Sequence, residues 1–98
     1  MSTEDLAFIE QLEKIVQDRL DNSTEHSYTA KLAKAGIERI AQKVGEEGVE
    51  LALAAVSGNR EQIIDEAADV VFHLIVLLAS QKLTLADVGM RLKSRHDN

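Results

Sequence analysis

The sequence predicts an all-α protein with about five helices and an antiparallel helical hairpin at its core. Proline is absent, aromatic residues make up only 3% of the chain, and 45% of the residues are hydrophobic. Alanine, leucine, glutamate and lysine are abundant and favour helices, whereas strands favour aromatic residues. The 98 residues suffice for one domain, residues 1–98. A chain of this length buries only about 60 to 65% of its unfolded surface, so a partner subunit would add stability.

The composition excludes several classes of function. A formal net charge of −6 repels nucleic-acid phosphates, and no basic stripe with interleaved aromatic residues offsets it. Because cysteine is absent, the chain forms neither disulfides nor thiolate metal sites. The longest apolar run, Val70–Ala79, is interrupted by His73 and has about half the length of a membrane span. The acidic N-terminus is unlike a signal peptide, and we expect a cytoplasmic protein.

The first two helices differ in length. The first is predicted over Thr3–Leu20, where apolar residues recur every three or four positions. Ser2 and Asp5 have the spacing of a capping box at its start. Residues 21–26 are polar and aperiodic, which is typical of a loop. A short second helix is predicted over residues 27–35 and is stopped by the glycine that follows it.

Two long helices follow and are predicted to form a hairpin. The third covers residues 37–56 and ends at Ser57-Gly58-Asn59. The fourth covers residues 60–81, and the asparagine before it has the spacing of a cap with Gln62. The pattern Thr84-x-x-Asp87 opens the last helix, which ends in a basic segment. Because the connection between the two long helices is short, they pack antiparallel as neighbours.

Carboxylates lie on the facing sides of this predicted hairpin. On the third helix, at about 100° per residue, Glu47 falls in the middle of the apolar stripe, with Glu50 and Glu46 successively nearer one edge. That stripe consists of Ile40, Val44 and Leu51. On the fourth helix, the predicted stripe consists of Ile63, Ala67, Val70 and Leu74, with Glu66, Asp69 and His73 along one margin. Four or five carboxylates therefore converge between the two helices.

Such a cluster favours a hard divalent cation. Oxygen-only ligands are preferred by Mg²⁺, the default, and by Mn²⁺. Glu47 with Glu50, and Glu66 with Asp69, are pairs at three-residue spacing, so each pair aims two carboxylates the same way. The two pairs are predicted to clamp one metal ion, and Glu46 to bind a second ion or to orient a water molecule.

A simpler interpretation treats these carboxylates as a solvated surface. Glu47 argues against it, since a carboxylate on an apolar stripe is costly to bury without a counter-charge. His73 is interpreted as a core or hydrogen-bonding residue rather than a ligand. The run Val70–Ala79 is apolar nearly all round its helix, which normally means burial on every side. We expect another subunit to cover it.

Several motifs resemble those of a known family. They are Ser27-Tyr28-Thr29, Gly36, Lys43-Val-Gly-Glu-Glu-x-x-Glu50, Glu66-Ala-Ala-Asp69 with His73, and Thr84-Leu-Ala-Asp-Val88. In order and spacing they resemble phosphoribosyl-ATP pyrophosphohydrolases, the second enzymes of histidine biosynthesis, over nearly the whole chain beyond about residue 25. E-E-x-x-E followed by E-x-x-D is also shared by the wider all-α nucleoside-triphosphate pyrophosphohydrolases, including MazG-like proteins and dimeric dUTPases. Phe72 stands where the family has a tyrosine, which removes a hydroxyl near His73.

The resemblance implies Mg²⁺-dependent hydrolysis of phosphoribosyl-ATP to phosphoribosyl-AMP and pyrophosphate. It implies as metal ligands Glu47, Glu50, Glu66 and Asp69. Glu46 is the candidate for orienting or deprotonating the attacking water, in competition with Glu47. Lys43 is placed to reach a phosphate. Weaker candidates for phosphate binding, with surface charge as the alternative, are Lys31, Lys34 and Arg39. Family members are commonly homodimers with a four-helix core and sites near the interface, and whether two dimers pair into a tetramer is left open by the sequence.

Two alternatives remain open at the level of the sequence. The nearer is another nucleotide pyrophosphohydrolase of the same superfamily, acting on a free or damaged nucleoside triphosphate. The farther is a noncatalytic helical dimerisation module with a solvated acidic face. Comparing the activity on phosphoribosyl-ATP with the activity on plain nucleotides distinguishes the first alternative from the reaction that the resemblance implies. Stabilisation by Mg²⁺ separates the second.

Overall fold

The computed structural model describes residues 3–22 and 27–97. These residues form five α-helices and no strand, which confirms the predicted all-α class. The helices are α1 (Thr3–Asp21), α2 (Tyr28–Ala35), α3 (Ile37–Ser57), α4 (Arg60–Ser80) and α5 (Leu85–Asp97). The predicted bounds of the first four agree with these to within one residue. The fifth begins one residue after Thr84, the start of the predicted cap pattern, and ends two residues beyond Arg95, the last residue of the predicted basic segment.

Side-chain caps start three of the helices. Ser27 Oγ accepts a hydrogen bond of 2.9 Å from the amide of Ala30, and so caps α2. Asn59 Oδ1 accepts from the amide of Gln62 at 3.1 Å, as the spacing predicted. Thr84 and Asp87 form the complete reciprocal box, since each side chain accepts from the other residue's amide, at 3.2 and 2.9 Å. The predicted cap of the first helix involves Ser2, which lies outside the described residues.

The connection between α3 and α4 consists of only Gly58 and Asn59. Gly58 has φ +78° and ψ +5°, a left-handed conformation that costs other residues free energy, and its amide donates to the carbonyls of Ala54 and Ala55. This left-handed cap reverses the direction of the chain within two residues. As predicted, α3 and α4 form an antiparallel hairpin, and their contact is the most extensive in the fold.

The core lies where four helices meet. It consists of Val16 from α1, Leu32 from α2, Ile40 from α3, and Ile75 and Val76 from α4. Each side chain is at most 4% exposed. Burial of one such aliphatic side chain stabilises the fold by roughly 1.5–3 kcal/mol. The second half of α4 therefore anchors the other three helices.

The predicted stripe of α4 does not mark its most buried side. Its four members are all half-buried: Ile63, Ala67, Val70 and Leu74. The buried residues are His73, Ile75, Val76 and Leu78. The prediction followed one face of one helix, whereas the second half of α4 packs against both α1 and α3, so burial extends around it. His73, predicted at the margin, is 5% exposed.

The expected uncovered apolar surface on α4 is also absent. Within Val70–Ala79 every residue is buried or half-buried in the single chain, so this run does not by itself require another subunit. Exposed large apolar side chains occur on all five helices, and on α3 they include Val49, Leu53 and Val56, which are 61%, 65% and 89% exposed. Their spacing places them on one face of the helix.

The last helix is attached to the first through a side chain. The amide of Leu85 donates to Glu13 Oε2 at 2.7 Å, across 72 positions of sequence. Glu13 on α1 thereby satisfies one of the amides that a helix start leaves unpaired. None of the helices in the described part of the chain combines the length and the apolar character needed to cross a bilayer.

Candidate metal centre

Glu47 is the most buried carboxylate in the described structure, at 7% exposure. It lies on the apolar side of α3, as the periodicity predicted. One turn earlier on the same helix, Lys43 Nζ approaches Glu47 Oε1 to 3.2 Å. The cost of burying the Glu47 carboxylate is therefore offset by the charge of Lys43 at Oε1, one of its two oxygens.

Three carboxylates from both arms of the hairpin meet here. One oxygen each from Glu47, Glu66 and Asp69 lies within 4.8 Å of the other two. Glu66 is half-buried and Asp69 is exposed, so the cluster opens to solvent on one side. The predicted convergence of carboxylates between the two helices is confirmed for these three residues.

Two oxygens of this cluster have no hydrogen-bond donor among the described residues. They are Glu47 Oε2 and Glu66 Oε2, and both are buried. A buried charged oxygen left unpaired costs roughly 1–3 kcal/mol or more. Carboxylate oxygens are the type of ligand that Mg²⁺ and Mn²⁺ prefer. The residues present therefore fit a divalent cation.

Glu50, the fourth predicted ligand, lies beside the cluster on its exposed side. Its pKa is raised, chiefly by hydrogen bonding with Glu66 and then by the charge of Glu47. Without a cation, Glu50 keeps its proton to a higher pH than an isolated glutamate.

The electrostatics of Glu47 are different. Burial raises its pKa, but hydrogen bonds with Lys43 and Glu50 and the charge of Lys43 outweigh burial, so the pKa lies below its ordinary value. Hydrogen bonding with Glu47 is also the largest cause of the raised pKa of Lys43. The Lys43–Glu47 pair therefore remains ionised across the neutral range.

Glu46 lies outside the cluster. Its side chain is 47% exposed, accepts a hydrogen bond of 2.9 Å from Gln42 Nε2, and lies 3.7 Å from Lys43 Nζ. Lys43 is therefore shared between Glu46 and Glu47. The weaker phosphate-binding candidates, Lys31, Lys34 and Arg39, are exposed and make no ion pair within the described structure.

His73 is fully hydrogen-bonded beside the cluster. Its Nδ1 lies 2.7 Å from the carbonyl of Asp69, and its Nε2 lies 2.9 Å from the hydroxyl of Tyr28. The interpretation of His73 as a hydrogen-bonding residue rather than a ligand agrees with this geometry. The hydroxyl missing at Phe72 does not leave His73 unpaired, because Tyr28 supplies one from α2.

Two cavities border these elements. One of about 320 Å³ extends from Glu50 and Glu66 towards the α3–α4 connection and includes Leu53 and Gln62 in its wall. The other, of about 510 Å³, lies between the end of α1, the α2–α3 corner and residues 79–84. Only the smaller cavity contains residues of the carboxylate site. Space for a ligand therefore adjoins the cluster.

This fold and site define a class: small all-α proteins with a carboxylate cluster, able to hold a cation, between two antiparallel helices. The model of the family described as phosphoribosyl-ATP pyrophosphohydrolase matches residues 9–96. The chain belongs to this family.

Curated relatives agree with this assignment. The chain is 51% identical over 92 residues to the histidine biosynthesis bifunctional protein HisIE of Photobacterium profundum, a match covering 94% of this chain and 44% of that protein. It is 53% identical to the protein of the same name from Campylobacter jejuni, with the same coverage. It is 54% identical over 88 residues to that of Photorhabdus laumondii, covering 90% of this chain. The chain spans less than half the length of these relatives.

Proposed function

We propose that this chain hydrolyses phosphoribosyl-ATP to phosphoribosyl-AMP and pyrophosphate, the second step of histidine biosynthesis. Family membership and relatives that are more than half identical and are named for histidine biosynthesis support the substrate. One structural observation carries the chemistry: Glu47 and Glu66 each bury an unpaired oxygen in a cluster that Asp69 completes. A noncatalytic module with a solvated acidic face has no need of such oxygens.

The residues that would hold Mg²⁺, or Mn²⁺ in its place, are Glu47, Glu66 and Asp69, with Glu50 beside them as the fourth carboxylate. A bound divalent ion supplies neutralisation of the triphosphate and stabilises the leaving pyrophosphate. The chain's own task is to hold four acidic side chains together on a rigid hairpin. The short α3–α4 connection and the extensive contact between these helices support that role.

The remaining roles belong to the residues around Lys43. When the α-phosphorus is attacked by water, a proton must leave the water, and Glu46 or Glu47 is the proposed acceptor. Glu46 is the better candidate, because its distance to Lys43 is the longer one, 3.7 Å against 3.2 Å for Glu47, and because Glu47 has a lowered pKa. Lys43 Nζ lies at the edge of the cluster, where it would contact a phosphate oxygen. Lys31, Lys34 and Arg39 would add longer-range attraction for the anionic substrate.

We further propose that the enzyme is a cytoplasmic homodimer. The exposed apolar face formed by Val49, Leu53 and Val56 on α3 supports association. This proposal shifts the interface from the centre of α4 to α3. Because α3 also carries Glu47 and Glu50, the site would lie close to such an interface.

Pyrophosphate release from phosphoribosyl-ATP tests the proposed reaction, with ATP and dUTP as competing substrates and with Mg²⁺ present or chelated. We expect turnover of phosphoribosyl-ATP that is preferred over both nucleotides by at least about 100-fold in kcat/KM and requires the ion. The variant Glu66→Gln is expected to be inactive, and Asp65→Asn, an exposed carboxylate on the same helix, is its matched control. Equal turnover of all three nucleotides would contradict the substrate, and equal activity of both variants would contradict the site.

A further inference from the structure

We propose that Tyr28 and His73 form a positioning pair that connects α2 to the turn of α4 bearing Asp69, and so orients that carboxylate within the cation site. The inference deepens the proposed function and rests on it only for its kinetic test.

The hydrogen-bond chemistry allows one arrangement of a neutral His73. The carbonyl of Asp69 can only accept, so the proton on the imidazole must be on Nδ1, which lies 2.7 Å away. Nε2 is then an acceptor, and the Tyr28 hydroxyl donates to it at 2.9 Å. The two bonds run in one direction, from Tyr28 through His73 to the backbone of Asp69. The hydroxyl of Tyr28 therefore selects the tautomer that binds Asp69.

The bond to Asp69 affects the carboxylate through the backbone. In an α-helix the carbonyl of Asp69 also accepts from the amide of His73, four residues later. His73 thus binds the same carbonyl with both its amide and its ring. The ring itself has little freedom, since it is 95% buried and packs edge-on against Tyr28 and Phe72, with centroid distances of 5.7 and 5.2 Å. Asp69 is exposed and lacks such packing, so its orientation depends on its backbone.

Tyr28 is held firmly enough to fix His73. It is the first residue of α2, directly after the cap of Ser27, and is followed by the buried Thr29 and Ala30. The Tyr28 ring also stacks on Phe72, at a centroid distance of 6.0 Å. The side chain is otherwise half-exposed, so core packing alone does not account for its hydroxyl being directed to a buried imidazole. The pair joins residues that are 45 positions apart, so the placement of α2 affects the placement of Asp69 at the metal centre.

The variant Tyr28→Phe tests the pair, because it keeps the ring and removes only the hydroxyl. Ser80→Ala is the matched control: it also removes one hydroxyl hydrogen bond, 2.7 Å to the carbonyl of Leu77, at the far end of α4. In the wild type, ¹⁵N NMR should show the Nδ1–H tautomer of His73 as the main form. Tyr28→Phe should mix the tautomers and weaken Mn²⁺ binding, measured by calorimetry without substrate, by about tenfold. Ser80→Ala should change neither.

A second set of variants separates positioning from simple structural damage. Asparagine places its amide where Nδ1 lies, whereas leucine offers no donor, so His73→Asn should retain more Mn²⁺ affinity than His73→Leu. In the His73→Asn background, Tyr28→Phe should cost little more, since the hydroxyl has lost its acceptor. Kinetics of Tyr28→Phe should show a loss of activity that high Mg²⁺ largely restores.

The results of these experiments distinguish failure of the Tyr28–His73 pair from failure of the proposed reaction. Unchanged tautomer and Mn²⁺ affinity in Tyr28→Phe, an equal loss in Ser80→Ala, or a wild type that binds no Mn²⁺ would overturn the pair. Metal binding that responds as expected, in a protein that does not turn over phosphoribosyl-ATP, would refute the proposed reaction and leave the pair supported.

Discussion

Lys43 Nζ lies 3.2 Å from Glu47 Oε1, and among the described residues it is the only cation paired with a carboxylate of the metal centre. Glu47 therefore has one oxygen neutralised and one oxygen, Oε2, without a donor. A divalent cation and Lys43 would share this carboxylate. Lys43 thus stabilises Glu47 in the metal-free chain and would compete with a bound cation for this carboxylate.

Replacing Lys43 with methionine should lower the stability of the metal-free protein by about 1–3 kcal/mol, because a mostly buried carboxylate loses its counter-charge. The same change should enlarge the stabilisation that Mg²⁺ produces, since its competitor is gone. Thermal unfolding with and without Mg²⁺ measures both effects. A reduced Mg²⁺ effect would mean that Lys43 organises the ligands instead of competing with them. The exposed Lys14→Met is the control.

The pKa of Glu47 makes the contribution of this pair depend on pH. Because the folded pKa lies below the ordinary value of about 4.3, ionised Glu47 stabilises the fold fully above that value. The contribution is lost as pH falls through the lowered pKa. Urea unfolding between pH 7 and pH 3 should therefore show a smaller decline in Lys43→Met than in the wild type.

Replacing Glu50 with glutamine should have the opposite effect on the metal-free protein. The folded pKa of Glu50 is raised by Glu66 and Glu47, so its protonated form stabilises the fold at low pH, and this contribution is lost as pH rises through the raised value. At pH 8 the variant should melt above the wild type without metal and gain less from Mg²⁺. A lower melting temperature without metal would show that ionised Glu50 is not repelled by its neighbours.

Replacing Glu46 and replacing Glu47 should have different effects on metal affinity and on kcat. Glu47→Gln is expected to weaken metal binding and activity together. Glu46→Gln is expected to lower kcat by roughly 10²-fold, with metal affinity nearly unchanged, because its side chain lies outside the cluster. Calorimetric titration beside pyrophosphate release distinguishes them. Near-full turnover in Glu46→Gln would leave the proton of the attacking water to another acceptor.

Two glycines should respond oppositely to alanine. Gly45 lies inside α3 with no atom within 4 Å of an added Cβ, so Gly45→Ala should stabilise the protein by about 0.5–1 kcal/mol. Gly58 has positive φ, and Gly58→Ala should destabilise by about 1–2 kcal/mol. Chemical denaturation of both variants checks the signs. A destabilising Gly45→Ala would indicate that another chain approaches α3 closely.

The proposed dimer interface can be tested without disturbing the core. Val56 is 89% exposed near the C-terminus of α3, where a lysine is favourable to the helix. Val56→Lys should therefore dissociate the protein and leave its helical content intact, whereas Ala35→Lys, at the exposed end of α2, should not. Analytical ultracentrifugation beside circular dichroism gives the answer. A wild-type protein that sediments as a monomer at micromolar concentration contradicts the dimer.

The features that could be predicted from the sequence are those set by local interactions. The Asn59 and Thr84 caps, the glycine turn and the burial of Glu47 follow from spacing along one helix or one turn. The proximity of Glu47 and Glu66 could also be predicted, because a connection of only two residues makes their helices pack as antiparallel neighbours. The Lys43–Glu47 pair, at four-residue spacing, could have been predicted in the same way.

Features that depend on distant contacts were missed. The burial of Ile75 and Val76 depends on α1, which no periodicity within α4 reveals. The hydrogen bond between Tyr28 and His73 joins α2 to α4. These residues are 45 positions apart, so no spacing in the sequence predicts that they meet. The raised pKa of Glu50 depends on Glu66 and Glu47 together, so predicting it requires the relative positions of all three carboxylates.

The hydrogen bond from the amide of Leu85 to Glu13 has a kinetic consequence. It joins positions 72 residues apart and belongs to neither helix's own repeat, so it exists only while α1 and α5 are in contact. The Leu85 amide is therefore protected from exchange with solvent deuterium only while α1 and α5 are together. Exchange at that single amide therefore reports on the contact between α1 and α5, separately from the hairpin that carries the carboxylate cluster.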